Sequence, residues 1–325
     1  MPAMTNFSTA CAPGTSSPIV DSALAAAVDV DAAAGLRLSA IEAPARPVLR
    51  YHGGKFRLAP WVIRHFPPHR CYVEPFGGAA GVLVQKERAY AEVYNDLDGD
   101  IVNVFRVLRD PAQCDRLIHL LLLTPYARDE FDAAYESTDD PIERARRTLV
   151  RAEMGFGSAG ATKGTTGFRI DTRRKHGTAQ QLWARFPESL ARVCARLSGV
   201  MIENRPALGI IDQHDAEDTL FYVDPPYVMD TRNVGAKHGR YYDCEMKDAD
   251  HVQLLEKLQA VKGMVVLSGY SSALYLGALQ GWAMASTEAR ISAARGTAMR
   301  TECLWLNPAA SRALDRTGLF AQVNP

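Results

Sequence analysis

CYVEPFGGAAG, residues 71–81, decides how the chain folds. Cys71–Glu74 is a short, mostly apolar and aromatic run that reads as a buried strand. Pro75 ends it, because proline has no backbone N–H to give a ladder. The glycines that follow read as a tight turn, and the chain from Gly81 reads as a helix. A second strand, Ala91–Tyr94, ends in Asn95 and Asp96. Strand, glycine turn, helix, strand, acid is the opening of a doubly wound α/β fold.

Working outward, Asp100–Leu108 places Ile101, Val104, Phe105 and Leu108 at helical spacing. Residues 111–206 have another texture. Pro141–Phe156 reads as a helix with Arg144, Arg147 and Arg151 on one face. A long glycine-rich loop follows, GFGSAGATKGTTGFRIDTRRKHG, residues 155–177. Gln180–Leu197 is again helix-like, broken at Pro187. The α/β texture resumes near Val200, with a strand at Thr219–Val223, a helix at Asp250–Val261 and a strand at Met264–Leu267. Glu302–Leu306 reads as a late strand. A basic, glycine-rich segment is thus inserted into an α/β domain.

Composition sets the outer bounds. The chain has 325 residues, 47% hydrophobic and 23% charged, enough for one large or two modest globular domains. No apolar stretch approaches the ~18 residues of a membrane span. Formal net charge is zero, so distribution matters more than the sum. Residues 151–205 hold 10 Lys/Arg against 4 Asp/Glu. The six cysteines form no CxxC pair, which fits free thiols in a reducing cytosol and points to no metal site. Residues 1–46 are rich in Ala, Ser, Thr and Pro and read as a tail, with a short helix near Ser22–Ala34 and no targeting signal.

Four motifs carry chemistry. YHGGK, Tyr51–Lys55, pairs a close-approach glycine turn with a positive charge. The turn of Val73–Gly81 opens a cofactor site at a strand's carboxyl edge. It is neither a GxxxxGK[ST] loop nor a clean GxGxxG. Asp96 follows the glycine turn by about 20 residues, the spacing of an acid that bonds ribose hydroxyls, although a helix N-cap has the same spelling. The last motif is FYVDPPY, residues 221–227. Its bland reading is a strand-ending turn. Its chemical reading is a holder for a flat, conjugated amine. The Asp224 carboxylate and the Pro225 carbonyl each accept one N–H, which frees the nitrogen lone pair. Pro226 stiffens the acceptors and Tyr227 stacks on the ring.

YHGGK, VEPFGGAAG, YND and FYVDPPY, in that order, resemble the Dam-type DNA adenine-N6 methyltransferases, many of them from phage and prophage. The resemblance runs from about Val48 to Asn307, and TECLWL (residues 301–306) resembles a strand near that family's C-terminus. It implies a Rossmann-like fold that uses S-adenosylmethionine and carries an inserted, mainly helical target-recognition segment. Residues 47–110 and 200–310 would form the catalytic domain and 111–199 the insertion, with tails at 1–46 and 311–325. By position, Tyr51, Lys55, Glu74, Pro75, Phe76, Gly78, Asp96 and Asp224 match cofactor-site residues, and Asp224, Pro225, Pro226 and Tyr227 the catalytic tetrad. The substrate would be double-stranded DNA, with the target adenine flipped into the pocket. Lys163, Arg169, Arg173, Arg174 and Lys175 would grip it. Arg232, Lys237, His238 and Arg240 could touch the flipped strand, and Ser268-Gly269-Tyr270 could line the base pocket. The chemistry needs no metal or obligatory protein partner, and the setting would be cytoplasmic, in restriction–modification, prophage protection or regulation.

One departure stands out. Ala80 occupies a position where the family often has glycine, and its methyl fits if φ there is negative. Two other readings stay open: a non-catalytic DNA-binding relative, and an amino-methyltransferase acting on cytosine N4.

Overall fold

A computed structural model describes residues 28–29, 37–38, 43–157, 160–161, 165–170, 177–228, 245–293 and 296–317. Most of the expected tails lie outside these residues, as do Lys163, Arg173, Arg174, Lys175, Arg232, Lys237, His238 and Arg240. The chain divides into two compact units, Met1–Ile41 and Glu42–Pro325. In the first, strands β1 (Val28–Asp29) and β2 (Arg37–Leu38) pair antiparallel. This replaces the helix expected near Ser22–Ala34 at those positions. β-branched Val28 favours extended backbone.

The second unit is built on a seven-stranded sheet. Its strands are β3 (Cys71–Glu74), β4 (Ala91–Asn95), β5 (Val200–Glu203), β6 (Thr219–Val223), β7 (Met264–Gly269), β8 (Ala283–Ala293) and β9 (Gly296–Leu306). Their order is β5-β4-β3-β6-β7-β9-β8. Strands β3 to β7 run parallel, and β9 lies antiparallel to both β7 and β8. Every residue of β6 and β7 is buried, which is why both read as continuous apolar runs. Val73, Phe221, Val223, Val265, Leu267 and Trp305 belong to one core cluster with Leu254, Leu255 and Leu258 of the helix Asp248–Ala260. The chain runs from β3 through β4 to β5 on one side and then returns to β6 on the other side of β3. The crevice beyond their carboxyl ends is therefore the topological switch point of a Rossmann-like sheet.

Helices between β4 and β5 form where their caps say they should. Asp98 caps Gly99–Arg109 by accepting from the Asp100 and Ile101 amides, and Ile101, Val104, Phe105 and Leu108 are buried as their spacing predicts. Asp110 and Asp140 cap the helices Pro111–Leu123 and Pro141–Met154, each with proline in its first turn. The Arg144, Arg147 and Arg151 side chains are each engaged with protein carboxylates, although Arg144 is exposed. Arg144 and Arg151 bind Asp100 at 2.6 and 2.9 Å, and Arg147 binds Glu143 at 2.7 Å. Pro187 interrupts the next stretch, leaving Ala179–Ala184 and Leu190–Leu197 as separate helices. Among the described residues no helix is long and apolar enough to cross a membrane.

Two expectations need correction. No regular helix follows Gly81. Val84 and Lys86 amides reach Ala80 and Val82 carbonyls at 3.1 and 3.0 Å, but the Leu83 amide is diverted to Glu74 Oε1 at 2.9 Å. The late strand is also longer than Glu302–Leu306, because it pairs along its whole length with β8. The sequence reading missed β8, whose run of small and polar residues lies at the sheet edge.

Candidate active site

The glycine turn is held from three sides. Gly77 donates to the Asn95 carbonyl at 2.7 Å, so the turn is stitched to the end of β4. Gly78 has φ +47 and donates to Asp96 Oδ2 at 2.8 Å, while its carbonyl accepts from Tyr94 OH at 2.7 Å. A Cβ on Gly78 would lie 2.8 Å from the Tyr51 ring, so Tyr51 covers the turn closely. Asp96 Oδ1 accepts from the Asp98 amide at 2.9 Å, and burial pushes the Asp96 carboxyl up. Ala80 does not meet the condition set for it. Its φ is +52, a left-handed conformation that costs an alanine about 1 kcal/mol or more. The methyl is accommodated nonetheless, fully buried.

Glu74 faces inward and braces the turn. Its Oε1 accepts from Tyr72 OH at 2.6 Å and from the Leu83 amide at 2.9 Å. Burial, against these two hydrogen bonds, pushes its pKa to about 8. The folded protein therefore holds this proton more tightly than the unfolded chain. Stability from this group is full below the unfolded pKa of about 4.5 and is lost as pH rises to about 8. Glu74→Gln keeps an acceptor for both donors and carries no charge. Urea unfolding at pH 5.5, 7 and 9 should show a shallower loss of stability in the variant; parallel curves would place the dependence elsewhere.

The DPPY stretch leaves β6 at the same crevice. Lys55 Nζ lies 2.9 Å from Asp224 Oδ1 and 3.8 Å from Glu302 Oε1, and it donates to the Gly53 carbonyl at 3.0 Å. The same ammonium sits 4.8 Å from the Tyr227 ring centroid, a cation–π contact. Asp224 Oδ1 is buried, and the Lys55 ammonium is its charged neighbour. Tyr227 packs edge-on against Tyr270 at 4.5 Å, and its hydroxyl donates to Glu302 Oε1. Burial, with Asp224 and Glu302 close by, pushes the Tyr227 phenol well up, so it stays neutral. An open cavity of about 630 Å³ adjoins Tyr270 and Arg300.

The structure brings Tyr51, Gly78 and Asp96 together in one set of close contacts and Lys55, Asp224 and Tyr227 in another. Arg169 is placed differently from its reading as a DNA contact. It is only 4% exposed, its amide donates to the Met154 carbonyl at 2.8 Å, and its carbonyl accepts from Tyr126 OH at 2.6 Å. Short backbone pairing at Gly155 and Phe168 draws this position inward at the base of the glycine-rich loop. Sequence reading also missed Glu302, whose signal was a lone acid within an otherwise apolar strand end. Among the described residues no cluster of His, Cys, Asp and Glu could hold a metal ion.

Comparison with known proteins follows the same span. A family model described as D12 class N6 adenine-specific DNA methyltransferase matches residues 51–281. A DNA adenine methylase of Salmonella typhi is 22% identical over 243 residues, covering 70% of this chain and 82% of that protein. One from Vibrio cholerae serotype O1 is 24% identical over 237 residues, covering 68% and 80%. One from Serratia marcescens is 31% identical over 64 residues, covering 20% of this chain and 23% of its own length.

Proposed function

This chain belongs to the D12 class N6 adenine-specific DNA methyltransferase family, and from that premise we propose that it methylates adenine N6 in double-stranded DNA at the tip of β6. The observation that carries this reading is the Asp224 carboxylate at the tip of β6, ion-paired to Lys55 and beside the Tyr227 ring that the same ammonium faces.

S-adenosylmethionine is the methyl donor this family chemistry calls for. The residues present fit it. The glycine turn has no room for side chains against Tyr51 and Tyr94, and Asp96 closes the end of β4. Tyr51, Lys55, Glu74, Pro75, Phe76, Gly78, Asp96 and Asp224 would form its site. Glu74 contributes from behind, by bracing the turn. When bound, the cofactor supplies a methyl group already activated on a sulfonium.

The chain's own part is to prepare the amine. A target adenine must leave the duplex to reach a crevice of this kind. Asp224 and the Pro225 carbonyl accept hydrogen bonds from its two N6–H groups, which draws the nitrogen lone pair out of conjugation, and the one N6 proton displaced by the methyl group leaves to Asp224 or to water. Pro225 and Pro226 fix those acceptors, and Tyr227 stacks on the base. Alignment of this sort accounts for much of the rate in a reaction whose donor is already activated. Nucleoside mass spectrometry of DNA treated with protein and cofactor tests the assignment. N6-methyladenine supports it, whereas N4-methylcytosine would move the chemistry to the other planar amine.

Residues 111–199 are proposed as the segment that reads the DNA. Lys163, Arg173, Arg174 and Lys175 supply its charge; Arg169, being buried, is a weaker candidate for phosphate contact. If those four residues each neutralise one phosphate, replacing all four by alanine should make the slope of log affinity against log salt shallower by about 3–4. An unchanged slope would take them out of the interface.

A further inference from the structure

Glu302 is a second carboxylate in the site. It lies on β9, the antiparallel neighbour of β7, and is 2% exposed. One oxygen, Oε1, gathers three contacts. Tyr227 OH donates to it, Ser268 Oγ donates at 3.0 Å, and Lys55 Nζ lies 3.8 Å away. The Ser268 and Tyr227 hydroxyls are themselves 3.3 Å apart. Burial pushes the Glu302 carboxyl up and the Asp224 charge adds to that, while Lys55 and the two hydroxyls pull it back.

A buried acid flanked by another acid is costly unless pairing and hydrogen bonds offset it, and Lys55 with the two hydroxyls does so. Here the arrangement has a clear use. Tyr227 packs its ring against Lys55 and Tyr270 with its hydroxyl on Glu302, so the ring's angle is set by where Glu302 holds the phenol. Lys55 is shared between the two carboxylates. An amine docking on Asp224 competes for the oxygen that Lys55 now faces, and the ammonium then needs another counter-charge. Glu302 is already within 3.8 Å of it.

Resting on the reading above, we propose that Glu302 is a positioning residue of the transfer step. It fixes the Tyr227 ring through the phenol and takes over the Lys55 charge when the amine engages Asp224. Glu302 need not touch the base.

Two variants separate these duties. Glu302→Gln keeps an acceptor for Tyr227 and Ser268 but removes the charge; Glu302→Ala removes both. Steady-state kinetics should show kcat down ~10²-fold in Glu302→Ala and ~10-fold in Glu302→Gln, with KM for cofactor and DNA within about 3-fold of wild type. A second readout uses the free protein labelled with 3-fluorotyrosine, the Tyr227 resonance being assigned with Tyr227→Phe. That resonance should move in Glu302→Ala and return toward wild type in Glu302→Gln. A kcat within about 2-fold of wild type in Glu302→Gln, or a Tyr227 resonance unmoved in Glu302→Ala, would overturn the proposal. If Glu302→Ala does not fold, the Glu302→Gln kinetics still decide. A wild-type protein inert on adenine would instead remove the functional reading, and the fluorine measurement would still judge whether Glu302 holds Tyr227.

Discussion

Asp224→Ala is expected to lower kcat for methyl transfer by about 10³-fold while leaving a folded protein. Asp224 stands at the end of β6, outside the cluster of Val73, Phe221, Val223 and Leu267 that holds the sheet together. Its loss therefore removes no core packing. It removes the carboxylate that is to accept an amine N–H, and it leaves Lys55 with Glu302 as its remaining acidic neighbour, at 3.8 Å. The ammonium can still be neutralised, so the fold tolerates the change. Thermal unfolding within a few degrees of wild type, together with lost turnover, is the expected pair of results. Turnover near the wild-type rate would show that Asp224 does not hold the reacting nitrogen.

Gly77→Ala is expected to have the largest effect on the fold itself. A Cβ at this position would lie 2.5 Å from Cδ2 and 2.9 Å from Cζ of the Tyr94 ring, and closer still to Cε2. The ring has nowhere to go. Tyr94 is fully buried, its hydroxyl donates to the Gly78 carbonyl at 2.7 Å, and it packs on Phe105 with centroids 4.4 Å apart. Either the ring leaves its site or the turn lifts from the end of β4. Overpacking of this kind costs about 3 kcal/mol, and binding of cofactor should weaken with it because the same turn is proposed to hold the cofactor. Urea unfolding of the variant measures the first effect and calorimetry with S-adenosylmethionine the second. A variant as stable as wild type would mean that the turn has a second conformation.

The parts of this fold that were legible in the sequence share a physical cause. Strands β3, β6 and β7 are buried, so their apolar runs are unbroken, and prolines or glycines mark where they stop. The helix at Gly99–Arg109 showed its buried face because its other side meets polar surroundings. β8 carried no such mark, being an edge strand of small and polar residues. The stretch after Gly81 looked helical, yet a buried carboxylate 9 residues earlier takes one of its amides. Ala80 illustrates a limit of another kind: residue type suggested a negative φ, and the packing around the turn enforced a positive one. In the site, Asp96 and the DPPY stretch were readable because each follows a strand at the same edge, and Tyr51 and Lys55 because they flank a glycine pair. Glu302 lies 75 residues beyond Tyr227, and the antiparallel return of β9 is what brings the two together.

The most direct test of the central claim is sequencing that detects modified bases in unmethylated genomic DNA after treatment with wild-type protein and S-adenosylmethionine, with Asp224→Ala in parallel. The account predicts N6-methyladenine at one short recurring sequence with the wild type and none with the variant. Modified cytosine, or modified adenine that persists in Asp224→Ala, would contradict it.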